Sequence, residues 1–277
     1  AIRMGTLNAA AYFGLHDMGA VAPGYKADLA VFDDLRTLNV KQVYKGGKLV
    51  AENGKMLHQK EKNTDWSTEI KERVFHSFHR VPITVEELQL KETTGTHQRV
   101  IDMVAHELIT KERIEEWKEL PGVAPGVDIS RDIVKLAAIE RHKNTGHVGL
   151  GFLGKYVATS IGHDSHNLVI AGVTDEDMVL AGNRVIENGG GLAIALEGKV
   201  LADLPLPIGG LMADEPVEVV DEKLEHMKKL SVELGISEDI DAFMTLAFIS
   251  LPVIPKLRLN TYGVVDVEKH QVVEARF

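Results

Sequence analysis

The sequence predicts an α+β protein in two parts, a small β-rich unit over residues 1–80 and a mixed α+β domain over residues 81–277. Three observations predict it. Short apolar runs punctuated by glycine turns fill the first part. The polar run Gln59-Lys60-Glu61-Lys62-Asn63-Thr64-Asp65 reads as a solvated linker and places the boundary within residues 59–80. From Thr84 onward, helical and strand-like stretches are mixed.

Residues 1–14 read as a short helix, with Ile2, Leu7, Ala10 and Phe13 as candidate buried positions and Gly14 as its stop. Gly19 to Gly24 is turn-rich. Ala27 to Phe32 is an apolar strand interrupted by Asp28. Val40–Tyr44 and Lys48–Glu52 flank Gly46-Gly47, a hairpin signal, and Asn53-Gly54 adds another turn. Val100 to Leu108 alternates as a strand does, and Gly122 to Gly126 is a loop. Ile129 to Glu140 carries both strand and helix signals. Asp175 to Asn188 predicts a helix: Thr174 can cap it, acidic residues in its first turn oppose the helix dipole, and Gly189 to Gly191 end it. Leu192–Leu196 and Lys199–Leu204 form a hairpin about Glu197-Gly198. Asp221 to Leu234 is amphipathic, with Leu224, Met227, Leu230 and Leu234 on one face and Gly235 as its stop. Tyr262 to Val273 alternates again.

Composition narrows the function. Of 277 residues, 44% are hydrophobic and 26% charged, as in an ordinary globular protein. A formal net charge of −10 disfavours nucleic acid, whose phosphates need a clustered cationic surface. A lone nucleobase carries no phosphate and stays open as a ligand. There is no cysteine, which excludes disulfides, thiolate zinc sites, cysteine nucleophiles and the P-C-x-x-C type of deaminase zinc site. Phe243 to Ile254, the most apolar stretch, is too short to cross a bilayer and is broken by Pro252, so no membrane partner is expected. No signal peptide is visible and a cytoplasmic location is expected, although the first residue is Ala1 and not Met.

Gly162-His163-Asp164-Ser165-His166-Asn167 concentrates two imidazoles, a carboxylate, a hydroxyl and a carboxamide just before the apolar run Leu168–Ala171. Imidazole and carboxylate suit zinc, manganese or iron. On an extended strand His163 and His166, three apart, would face opposite ways, so only a turn or bulge lets both reach one ion. Equally, the aspartate could cap a turn and the histidines could bond backbone carbonyls. Arg141-His142-Lys143-Asn144-Thr145-Gly146-His147 is a second polar cluster that could line the same pocket or form a solvated loop. Gly149, Gly151 and Gly154 spell G-x-G-x-x-G, but Tyr156 to Ile161 after them reads as a strand where a dinucleotide site needs a helix. His76 and His79, beside Phe75 and Phe78, read as partly buried structural residues. Leu204 to Met212 reads as an apolar turn that serves packing or an interface.

Thr6-Leu7-Asn8-Ala9-Ala10, Leu15 and Gly19-Ala20-Val21-Ala22-Pro23-Gly24-Tyr25-Lys26-Ala27-Asp28-Leu29-Ala30-Val31 resemble the tail of the amidohydrolase superfamily. There, a final barrel helix returns into a small β-sandwich. The stretches around Arg141-His142, His163–Asn167, Thr174–Met178, Gly189–Gly191, Leu206–Met212 and Phe243–Leu246 look like the C-terminal domain of the bacterial adenine deaminases. The resemblance covers essentially the whole chain. It implies hydrolysis of adenine to hypoxanthine and ammonia at a binuclear iron or manganese centre, with zinc as a further option, in a cytoplasmic homo-oligomer of purine salvage and adenine catabolism. In that family the metal ligands lie on a (β/α)₈ barrel, expected upstream of this chain, so the chain alone is expected to be inactive. His163, Asp164 and His166 are then candidates at the active-site mouth or for an accessory metal. Ser165, Asn167, Arg141 and His142 are candidates for substrate binding. The alternatives are a non-catalytic structural or oligomerisation domain, or part of another amidohydrolase acting on a cyclic amide or amidine. A dihydroorotase-like enzyme fits the first 58 residues equally well but not the segment at 163–166. Between Gly151 and Ala158 the chain looks shorter than the family's glycine-rich loop.

Overall fold

A computed structural model describes residues 1–57, 66–90, 94–104, 107–154, 158–159 (backbone only), 162–238 and 241–277. The expected linker at 59–65 lies outside the described residues, as do 155–157, in the stretch expected to be a shorter glycine-rich loop, and most of the strand expected at 156–161. The chain forms two compact units, Ala1–Trp66 and Ser67–Phe277. The division thus falls ahead of residue 80. Helix α2 (Thr68–Phe75), capped by the Ser67 hydroxyl, and the residues after it are tied into the second unit: Gly209 N–H donates to Val74 O at 2.8 Å, and His79 N–H to Arg141 O at 2.9 Å.

In the first unit, the helical residues Met4–Asn8 run into α1 (Ala9–Tyr12). (Helix labels follow chain order, so α1 precedes α2.) A four-stranded antiparallel meander follows: β1 (Leu29–Phe32), β2 (Val40–Lys45), β3 (Lys48–Glu52) and β4 (Lys55–Met56). Lys45 pairs with Lys48 across Gly46-Gly47, whose φ values of +55° and +76° suit a tight hairpin turn that side-chain-bearing residues rarely adopt. The Asp28 carboxylate accepts from Gly46 N–H at 2.8 Å and fixes this turn. The helix forms as expected, but its burial does not. Ala10 is the only buried hydrophobic among the described residues of this unit, while Ile2, Leu7 and Phe13 are 55%, 37% and 73% exposed. One sheet layer and one short helix give those side chains no apolar layer within the unit.

The second unit is built on β5 (His97–Met103), β6 (Thr110–Glu116), β7 (Val134–Ile139), β8 (Val148–Gly154), β9 (Ala158–Thr159), β10 (Leu168–Gly172), β11 (Gly191–Leu196) and β12 (Lys199–Pro205). Their order is β12-β11-β9-β10-β7-β8-β5-β6, antiparallel except for β5 beside β8. Helix α3 (Asp175–Glu187) packs on β10, β11 and β12, and Thr174 Oγ1 accepts from Asp177 N–H as the sequence predicts. Helices α4 (Val217–Glu233) and α5 (Ala242–Ile249) follow, then a three-stranded sheet, β13 (Leu257–Asn260), β14 (Gly263–Asp266) and β15 (Gln271–Val273). α4 begins four residues before the expected Asp221, and Met227 is its buried anchor.

Period-two alternation sorts side chains between two cores. Val134, Leu136 and Ala138 of β7 join Phe152, Met227, Leu246 and Leu259 on one face. Ala137 and Ile139 join Ile83, Leu88, Met178 and Val185 on the other. Both faces are covered, so every residue of β7 is buried. Such a strand loses its polar alternation, which is why Ile129 to Glu140 carries both signals in the sequence. G-x-G-x-x-G falls inside β8, in keeping with its rejection as a nucleotide loop. Among the described residues no helix is long and apolar enough to cross a membrane.

Candidate functional site

The two polar clusters meet because β7 and β10 are antiparallel neighbours. Leu168 pairs with Ile139, and the same register continued past the strand ends sets Arg141 opposite His166 and His142 opposite Ser165. Side chains complete this pairing: Arg141 Nε–H donates to His166 O, and His142 Nε2 lies 2.8 Å from Ser165 O. Arg141 also donates from Nη2 to Gly209 O at 3.1 Å, and its guanidinium lies 4.9 Å from the Phe78 ring centroid. A Cβ at Gly210 would overlap that guanidinium, and φ of +73° there also favours glycine. The turn at 204–212, read from sequence as packing or an interface, therefore also cradles a buried cation. Burial pulls the Arg141 pKa down, with Glu140 opposing.

Glu140 shapes the loop that follows. Its carboxylate accepts from the backbone N–H groups of His142, Lys143 and Thr145 at 2.6, 2.9 and 3.0 Å. Partial burial pushes its pKa up, but the Thr145, Lys143 and His142 donors outweigh that and hold it at about 2. Arg80, which sequence reading passed over, is buried and ties the loop down. It pairs with Glu87, and its Nη1 donates to Asn144 Oδ1 at 3.3 Å. A lone Arg after a polar stretch carries no periodic signal. His76 and His79 next to it are exposed, not partly buried as expected, because Phe75 and Phe78 take the inward positions.

Residues 163–165 form a turn, not the mouth of an extended strand. His163 N–H donates to Ala247 O at 2.7 Å, and its ring stacks on Phe248 with centroids 5.0 Å apart and planes 21° apart. His166 takes φ of +52°, and its N–H donates to Gly162 O at 2.6 Å. His163, Asp164, Ser165 and His142 are exposed, whereas His166 and Asn167 are half-buried. Desolvation first, then the nearby Arg141 and His142 charges, lower the His166 pKa and favour its neutral form. Three buried polar atoms of this cluster have no hydrogen-bond partner among the described residues: Arg141 Nη1, His166 Nδ1 and Asn167 Oδ1. The arrangement sets the exposed His163 imidazole and Asp164 carboxylate in front of the half-buried His166 imidazole, whose pKa is lowered.

Among the described residues no three His, Asp or Glu side chains converge to hold a metal ion. His163, Asp164 and His166 do not form such a set, and the residues described do not fit a binuclear centre. Among the described residues of this cluster, the imidazole within hydrogen-bonding distance of a backbone carbonyl is that of His142.

The adenine deaminase C-terminal domain model matches residues 107–271, and the amidohydrolase family model matches residues 1–50. Adenine deaminase 2 of Carboxydothermus hydrogenoformans is 43% identical over 98% of this chain and 47% of its own length. The adenine deaminases of Petrotoga mobilis and Lysinibacillus sphaericus are 41% and 38% identical, over 98% and 99% of this chain and 47% of each relative. The chain thus spans about half the length of the curated relatives it matches. The chain belongs to the adenine deaminase C-terminal domain family.

Proposed function

We propose that this chain is the C-terminal portion of an adenine aminohydrolase, which converts adenine and water to hypoxanthine and ammonia. The observation that carries this reading is the 43% identity to an adenine deaminase over 98% of the chain. In this reading the iron or manganese centre belongs to a barrel domain in the half of the relatives' length that this chain does not span. The enzyme is a cytoplasmic homo-oligomer. His163, Asp164 and His166 lie at the active-site mouth and move protons, while Arg141, His142, Ser165 and Asn167 hold the substrate side in place. Arg141 Nη1, His166 Nδ1 and Asn167 Oδ1, unpartnered among the described residues, support the view that this cluster is completed by something beyond the chain itself.

The test is ammonia release from adenine by the complete protein and by this chain alone. The chain alone is expected to be silent. In the complete protein His166→Ala is expected to lower kcat about 10²-fold at unchanged thermal midpoint. A second reading, in which this part is purely structural, is favoured by the packing of His163, whose ring stacks on Phe248 and whose N–H donates to Ala247 O. Unchanged kinetics in His166→Ala, beside a silent isolated chain, would select that reading instead.

A further inference from the structure

A separate cluster lies against α5. Arg258, on β13, is 1% exposed. Its Nη1 donates to Leu257 O at 2.9 Å, and its Nη2 to Leu108 O and, at 3.5 Å, to Pro255 O. Its buried Nε has no hydrogen-bond partner among the described residues. Every acceptor it meets among the described residues is a neutral carbonyl, so its charge has no counter-ion there. Burial lowers its pKa to about 10. A buried cation without an anion is costly, and a structure that keeps one usually has a use for it.

Beside Arg258 opens a cavity of about 380 Å³, walled by Met103, Leu108, Ile109, Met244, Phe248 and Ile249. That volume is in the range of small-molecule sites, and a mostly apolar wall with a few charged groups, here Arg258, Asp241 and Glu107, is their usual composition. Of the acidic groups of the wall, Asp241 is already engaged: its Oδ1 accepts from Met244 N–H at 3.0 Å, and Lys228 Nζ lies 3.7 Å from Oδ2. Glu107 is exposed. Apolar walls strip water from whatever enters, which penalises phosphate or sulfate dianions far more than a carboxylate on a compact apolar body.

We propose that this cavity binds a small organic monocarboxylate, its apolar body against Met244 and Phe248 and its carboxylate facing the Arg258 guanidinium. Phe248 also carries the His163 ring, so an occupant is felt at the 162–167 segment. The proposal does not depend on the catalytic reading.

The full chain is titrated with benzoate, 2-methylpropanoate and hexanoate, each beside its neutral amide, by thermal unfolding and by methionine-methyl NMR. At least one carboxylate is expected to raise the midpoint saturably and to shift the Met103 and Met244 methyls. Its amide should bind at least about tenfold more weakly. Met244 is 56% exposed, so Met244→Glu leaves the fold and Arg258 intact while adding a negative charge to the wall. It should weaken the carboxylate at least about tenfold. Equal binding of acid and amide, an affinity unchanged in Met244→Glu, or no saturable effect from any of the three acids would overturn the proposal.

Discussion

The two units use similar local signals to different ends. In residues 1–57 a hairpin meander forms with its turns in place, yet among the described residues Ala10 is the only hydrophobic side chain it buries, and Tyr12, Phe13, Val21 and Leu35 stand exposed. In the second unit strands of similar length join a sheet covered on both faces, and β7 has no exposed residue. Hydrogen-bonded pairing makes a sheet, but burying apolar area against a second layer is what stabilises it. The first unit has the pairing without the layer.

The comparison can be broken most sharply by truncating one phenyl ring in each unit. Phe152→Ala removes a fully buried ring of the larger core and should cost about 3–5 kcal/mol in urea unfolding of the full chain. Phe13→Ala, at a ring 73% exposed, should cost less than about 0.5 kcal/mol. A large loss from Phe13→Ala would mean that the exposed face of the first unit is covered in the protein as it works, and would erase the contrast.

A smaller effect probes the buried cation of the second unit. Gly210→Ala adds a methyl group against the Arg141 guanidinium at a φ of +73°, and should cost about 3 kcal/mol. Gly46→Ala, at positive φ in the exposed hairpin of the first unit with open space around it, should cost about 1 kcal/mol. Equal losses would show that backbone conformation, and not packing on Arg141, decides the first.

The smallest effect depends on pH. Glu140 has a folded-state pKa of about 2, below its ordinary 4.5, so its contribution is fully present above 4.5 and is lost as pH falls toward 2. Glu140→Gln should therefore cost about 1–2 kcal/mol at pH 7, allowing for solvent screening, and the difference from wild type should vanish near pH 2. A difference that persists at the acid end would assign the effect to lost packing rather than to the charge.

Much of the local structure was legible. Thr174 caps α3, and Gly46-Gly47 and Glu197-Gly198 turn their hairpins, because each depends on neighbours a few residues away. The polar content of 141–147 and 162–167 was legible as two clusters. Their union was not, since it depends on the pairing of Leu168 with Ile139 across the sheet. Arg80, Arg141 and Arg258 show why side-chain type alone misleads: arginine favours the surface, yet all three are buried where carbonyls, Glu87 or a phenyl ring receive the guanidinium.

By itself, the sequence determined the α+β class, the turns, the caps and the family resemblance, all of which rest on short-range pattern. Only the tertiary structure decided that residues 134–139 form a strand, that His166 is half-buried while His163 is exposed, and that Arg258, with no counter-ion among the described residues, sits beside a cavity. The physical reason is that burial on both faces of a sheet erases periodicity. The carbonyls that receive Arg141 and Arg258 at His166 and Leu108 lie 25 and 150 positions away in the chain.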